Sequence, residues 1–190
     1  MNKLSRAGLT VLLISLFTGA AWGDGTYVTI KGGYFLPSDD VFKEVYGSGL
    51  AFGAETSIPL SGPLHAWAGF EFFSRSGLTT ISEEETKVRI VPFYAGLRAL
   101  FGQKSVRPYI GAAAAYFSFH EVNPIGSVSD GGFGFLGQAG VMARLTGALW
   151  LDAFAGFRAC TLRADVADGE EPLEAKLGGL SAGLGLAYRF

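Results

Sequence analysis

The stretch Leu180-Ser181-Ala182-Gly183-Leu184-Gly185-Leu186-Ala187-Tyr188-Arg189-Phe190 alternates without a break. Successive side chains of an extended chain point to opposite faces. Leu180, Ala182, Leu184, Leu186, Tyr188 and Phe190 therefore share one side, and Ser181, Gly183, Gly185, Ala187 and Arg189 the other. Four further stretches repeat the scheme. Leu50, Phe52, Ala54, Thr56, Ile58 and Leu60 oppose Gly49, Ala51, Gly53, Glu55 and Ser57; Leu64, Ala66, Ala68, Phe70 and Phe72 oppose His65, Trp67, Gly69, Glu71 and Arg75. Phe133, Phe135, Ala139, Val141 and Leu145 oppose Gly134, Gln138, Gly140 and Arg144, and Leu149, Leu151, Ala153, Ala155 and Phe157 oppose Trp150, Asp152, Gly156 and Arg158.

The second face mixes small residues with isolated charges of both signs, which suits neither a solvated surface nor a greasy core. It suits the lumen of a narrow barrel, where an eight-stranded cylinder has just enough room for side chains to fill it. Lys31, Glu55, Glu71, Arg98, Asp152 and Arg158 are expected to meet there as a salt-bridge network, because one such charge buried alone costs several kcal/mol. A soluble barrel would carry the opposite pattern, polar outside and apolar inside. Ala112 to Ala115 occupy both faces, so the parity of the fifth strand stays open.

Period-2 alternation gives eight candidate strands: 26–36, 49–60, 63–75, 86–101, 105–118, 132–145, 148–162 and 176–190. Each reaches the ~9 to 11 residues that a tilted strand needs to cross a bilayer. Their connections alternate. Pro37 to Ser48, Ser76 to Glu85, Phe119 to Gly131 and Arg163 to Ala175 are long and mostly acidic, whereas Ser61-Gly62, Gly102-Gln103-Lys104 and Thr146-Gly147 are tight turns. Strict alternation puts every long connection at one end, the asymmetry of an outer-membrane barrel with periplasmic turns and extracellular loops.

Composition agrees. The 190 residues are 49% hydrophobic and 17% charged, against a usual ~25% charged, and 28 are glycine. Such glycine content argues against a helical bundle, and one cysteine rules out a disulfide framework. A formal net charge of -2 offers no basic footprint for nucleic acid. Residues 1–23 read as a signal peptide: Lys3 and Arg6 precede an apolar run from Leu9 to Phe17, with small Ala21 and Gly23 at the cleavage positions. The expected mature chain is a barrel domain over 24–190 with net charge -4, since the leader carries two bases and no acid. No stretch of it reaches the ~18 apolar residues of a membrane helix.

Three motifs carry a family resemblance: Thr26-Tyr27-Val28-Thr29-Ile30-Lys31-Gly32-Gly33-Tyr34-Phe35, Val91-Pro92-Phe93-Tyr94-Ala95-Gly96-Leu97-Arg98 and Arg107-Pro108-Tyr109-Ile110-Gly111-Ala112. In these the chain resembles the OmpA-like outer-membrane β-barrels. The resemblance implies an all-β, eight-stranded antiparallel up-and-down transmembrane barrel in a Gram-negative outer membrane, without the periplasmic peptidoglycan-binding domain of larger relatives. The final Leu186, Tyr188 and Phe190 resemble the terminal aromatic signature by which such barrels are recognised for assembly.

Chemistry is sparse. His65 reads as a structural lumen histidine. Ser118 and His120 share a face, and a lipid A deacylase would set a Ser/His/acid group at similar depth, but nearby Glu121 points the other way if the strand continues. Glu83-Glu84-Glu85 and the cluster Asp165, Asp168, Glu170, Glu171 and Glu174 could hold Ca²⁺ or Mg²⁺, yet lack EF-hand spacing and read as solvated loops. Cys160 reads as a buried free thiol, and Gly131-Gly132 and Gly178-Gly179 as strand glycines. Tyr34, Phe72, Phe101, Tyr116, Tyr188 and Phe190 fit interfacial girdles.

The expectation is a non-enzymatic, monomeric outer-membrane barrel with a closed lumen and acidic extracellular loops, using no cofactor or metal. Its partners would be outer-membrane lipid, lipopolysaccharide and the barrel assembly machinery. A narrow or gated pore and a lipid A-modifying enzyme are the alternatives.

Overall fold

A computed structural model describes residues 25–78, 85–102, 104–124, 126–164 and 173–190. The elements are β1 (Tyr27–Pro37), α1 (Asp40–Tyr46), β2 (Gly49–Ser61), β3 (Leu64–Leu78), β4 (Glu85–Leu100), β5 (Val106–Asn123), β6 (Gly126–Thr146), β7 (Leu149–Ala164), β8 (Leu173–Lys176) and β9 (Gly179–Arg189). Each strand from β1 to β7 pairs antiparallel with the next. Both β8 and β9 pair with β7, so they are two pieces of one stave interrupted at Leu177 and Gly178. β9 returns to β1 in register from Tyr27↔Arg189 to Pro37↔Gly179. Eight staves thereby close into a ring, and the body of the sheet has no free lateral edge.

Exposure alternates along the staves of that ring. Ile30, Leu50, Phe52, Phe70, Leu97, Ile110, Phe133, Leu184 and Leu186 point outward and are exposed. On β5, Ile110, Ala112, Ala114 and Tyr116 point out while Tyr109, Gly111, Ala113, Ala115 and Phe117 point in, which fixes the strand whose alanines left its parity open. Tyr34, Phe72, Phe101, Tyr116, Tyr188 and Phe190 are all exposed, but Phe72 and Tyr116 lie well inside β3 and β5, because those strands run on past the ends expected from the pattern. Such an apolar outer wall has no stable place in water but suits lipid tails. Among the described residues no helix is long and apolar enough to cross a membrane.

Gly62, Gly102 and Gly147 sit at positive φ, 55°, 78° and 47°, in the three tight turns. Glycine reaches that region without the Cβ penalty of other residues. The expected connections 76–85 and 163–175 are shortened by strand at both ends, and two others differ more. The segment 37–48 contains α1, whose Asp39 side chain caps the Phe42 amide at 2.9 Å. The segment 119–131, expected as a loop, is mostly strand: β5 and β6 stay paired up to Asn123↔Gly126. Valines and alternating polar residues let the ladder run on past the barrel wall. With the ends of β3 and β4 it forms a four-stranded sheet projecting beyond β2 and β1.

The interior is stacked in tiers. Tyr27, Leu100, Tyr109, Met142, Trp150 and Ala187 fill the short-turn end. Phe35, Trp67, Phe73, Ile90, Phe117 and Leu136 fill the opposite half, and α1 covers it through Phe42, Val45 and Tyr46. Ion pairs occupy the space between.

Candidate functional site

Lys31, Glu55, Glu71, Arg98, Asp152 and Arg158 lie on the inward positions of five staves, and all six are buried. The Lys31 ammonium is 2.9 Å from Glu55 and 3.0 Å from Glu71. It also donates to Gln138 Oε1 at 3.2 Å and lies 4.8 Å from the Phe154 ring centre. Arg98 reaches Glu55 at 2.6 Å, and Arg158 reaches Glu71 at 3.0 Å. Both guanidinium–carboxylate contacts are short ion pairs. Both guanidiniums are also braced by rings: Arg98 lies between Trp67 and Tyr109, at 4.4 and 4.3 Å, and Arg158 sits 3.7 Å from the Phe35 centroid.

Asp152 departs from the expected network, since neither of its oxygens makes an ion pair with a described residue. Its Oδ2 accepts the Tyr109 hydroxyl at 3.2 Å, while Oδ1 has no hydrogen-bond partner among the described residues. Tyr109 in turn accepts from Gln138 Nε2 at 2.8 Å, and Tyr94 donates to Glu55 at 3.0 Å. Sequence reasoning did not assign Tyr94, Tyr109 or Gln138 to this group. Tyr94 shares its parity with Arg98 on one strand, which was a usable signal; for Tyr109 the alanine run hid it.

Three charges of each sign, packed among aromatic rings, block the middle of the cylinder. The space beside Lys31, Gly33, Gly53 and Glu71 measures about 10 Å³. That is room for roughly one water molecule. Chemically the arrangement holds staves together.

The remaining candidates disperse. His65 is buried beside Tyr27, with ring centres 6.4 Å apart. His120 Nδ1 lies 2.7 Å from Ser129 Oγ, and Glu121 lies on the opposite face, where it accepts from Thr86. No Ser118–His120–Glu121 triad is assembled. Cys160 is a buried free thiol. Among the described residues no group of His, Cys, Asp and Glu could hold a metal ion. Glu83, Glu84, Asp165, Asp168, Glu170 and Glu171, like the signal segment 1–23, lie outside the described residues, as do the side chains of Glu85 and Glu174. Leu186, Tyr188 and Phe190 face outward on the last stave.

A closed ring of eight staves with an apolar outer wall and an ion-paired interior defines the small eight-stranded outer-membrane β-barrels, and this chain has that fold. Among solved structures it is similar to Neisserial surface protein A, with a TM-score of 0.60 at 17% identity over 87% of this chain and 97% of that one. It is similar to the outer membrane protein OprG from Pseudomonas aeruginosa, at 0.57 and 11% over 88% and 98%, and to E. coli outer membrane protein W, at 0.54 and 16% over 88% and 98%. Neither a protein-family model nor a curated protein matches the sequence.

Proposed function

We propose that this chain is an integral protein of the bacterial outer membrane, with a structural and surface-presenting role and no catalytic activity. The observation that carries this reading is the combination of an exposed apolar wall with a lumen closed by paired charges. The first suits lipid and the second suits a plug. The projecting ends of β3 to β6 and the acidic connections are then the surface offered outward, next to lipopolysaccharide. The last stave, with Leu186, Tyr188 and Phe190, is the segment offered to the barrel assembly machinery. The reading is of a monomer, and a ring closed through β1 and β9 supports it in that no second copy is needed to cover a sheet edge.

Fractionation with heat-modifiable gel mobility tests the membrane reading: a folded barrel runs faster unboiled, and recovery in the soluble periplasmic fraction would sink it. Planar-bilayer recording tests the closed lumen. Flat traces are expected, and stepwise conductance that disappears on Glu71→Gln would replace the structural role with a narrow pore.

A further inference from the structure

The short-turn end of the lumen closes over Tyr27 and Trp150, both fully buried, whose rings meet edge to face with centroids 5.7 Å apart. Three arginines stand over this floor. Arg107 on β5 and Arg189 on β9 each place their guanidinium carbon 5.9 Å from the centre of the Tyr27 ring, and Arg144 on β6 lies 5.4 Å from that of Trp150. Arg107 is held in place, its Nη1 donating to the Tyr27 hydroxyl at 2.7 Å and its Nε to the Gly102 carbonyl at 3.1 Å. All three follow the inward parity of Tyr109, Met142 and Ala187, so they turn toward the barrel axis. Arg144 is exposed and the other two half-buried, so solutes reach them.

Among the described residues this end holds no acidic side chain. Residues 25–26, 58–64, 99–108, 143–149 and 188–190 contain no Asp or Glu, while Lys104 adds a fourth cation. Even with the Phe190 carboxylate set against them, positive charge is in surplus. The lumen charges deeper in number three of each sign and add no net charge, and Asp152, which has no ion pair among the described residues, accepts from the Tyr109 hydroxyl. Like charges gathered around two rings repel one another unless an anion enters, and the planar guanidinium fork is matched to carboxylate and phosphate oxygens.

We propose that this mouth is a binding site for a multiply charged oxyanion, a small phosphate- or carboxylate-bearing solute of the periplasm. That the mouth opens on the periplasm rests on the proposed membrane location; the binding itself does not. Inward-turned arginines favour a solute on the axis over headgroups ringing the outer wall.

The mature protein, folded in phosphatidylcholine nanodiscs, is titrated with pyrophosphate while the ¹⁵N-labelled arginine Nε–H resonances are followed. Saturable shifts are expected at Arg107, Arg144 and Arg189, with affinity reduced about tenfold or more in the double variant Arg107→Gln, Arg189→Gln. Heat-modifiable mobility reports whether that variant folds. Arg144→Gln, at an exposed position, keeps the test open with an expected loss of roughly threefold. No saturable shift, or equal affinity in wild type and both variants, overturns the proposal. Shifts produced by phosphatidylglycerol in the disc but not by pyrophosphate would assign the mouth to lipid and overturn it too. Binding that emerges only after Asp24→Asn would show the chain's own carboxylate occupying the site, and would likewise overturn it.

Discussion

Lys31 and Glu71 form a 3.0 Å ion pair across an intervening stave. They meet because Gly53, which pairs with Lys31 on one side and Glu71 on the other, puts no side chain between them. A Cβ at Gly53 would overlap the Phe70 carbonyl and come within 3.1 Å of Glu71 Cγ. The glycine of the lumen face is thus the complement of its charges.

Gly53→Ala is expected to destabilise the barrel by about 1–3 kcal/mol, the usual result of overpacking a filled interior. Urea unfolding in detergent micelles measures it. Gly62→Ala, where a Cβ meets nothing within 4 Å but the φ is 55°, should lose only about 1 kcal/mol. Equal losses at the two sites would remove the packing argument.

Glu55 carries two cations, Lys31 and Arg98. Glu55→Gln leaves both buried without that counter-charge, and breaking buried pairs in this way typically costs about 3–5 kcal/mol. The variant should unfold at markedly lower urea with an unchanged dependence on denaturant. A loss below about 1 kcal/mol would show water, not Glu55, compensating those cations.

Asp152 makes a hydrogen bond and no ion pair with a described residue. Asn keeps the oxygen that accepts from Tyr109, so Asp152→Asn should alter stability by about 1 kcal/mol or less. Should it match Glu55→Gln in the same unfolding series, Asp152 would belong to the ion network after all.

Leu184 points outward beside Gly32 and Ala153, at the level of the lumen charges. Leu184→Arg should cost about 2–4 kcal/mol, the value for a cation at the bilayer midplane. The same change at Leu60, near the short turns, should cost about 0–1 kcal/mol. Refolding into vesicles resolves the two, and indifference at Leu184 would contradict a lipid-facing wall.

His120 is bonded to Ser129 and separated from Glu121 by the faces of β5. Mass spectrometry of lipid A from cells expressing His120→Ala should match that from cells expressing the wild type. Any acyl-chain difference between them would revive a deacylase.

The last strand shows how far a local pattern reaches. Leu180 to Phe190 alternates so regularly that its outward and inward faces follow from side-chain period alone, and the structure places Leu184, Leu186 and Tyr188 outside. Where the pattern is silent, the faces stay undecided: Ala112 to Ala115 look alike from either side, and only pairing with β4 and β6 decides which enters the lumen. The segment 119–131 misleads because glycine, serine and aspartate are common in turns, yet cross-strand partners are available to keep both strands extended.

By itself the sequence determined the class of this protein. Period-2 alternation, with grease on one face and glycine with ions on the other, has one stable arrangement in a bilayer, the closed cylinder. The tertiary structure decided who meets whom. Register brings Lys31 to Glu71 across Gly53, leaves Asp152 with Tyr109, and sets three arginines from β5, β6 and β9 around Tyr27 and Trp150. Those meetings depend on the stagger between strands, and stagger is set by the closure of the whole ring, not by any segment read alone.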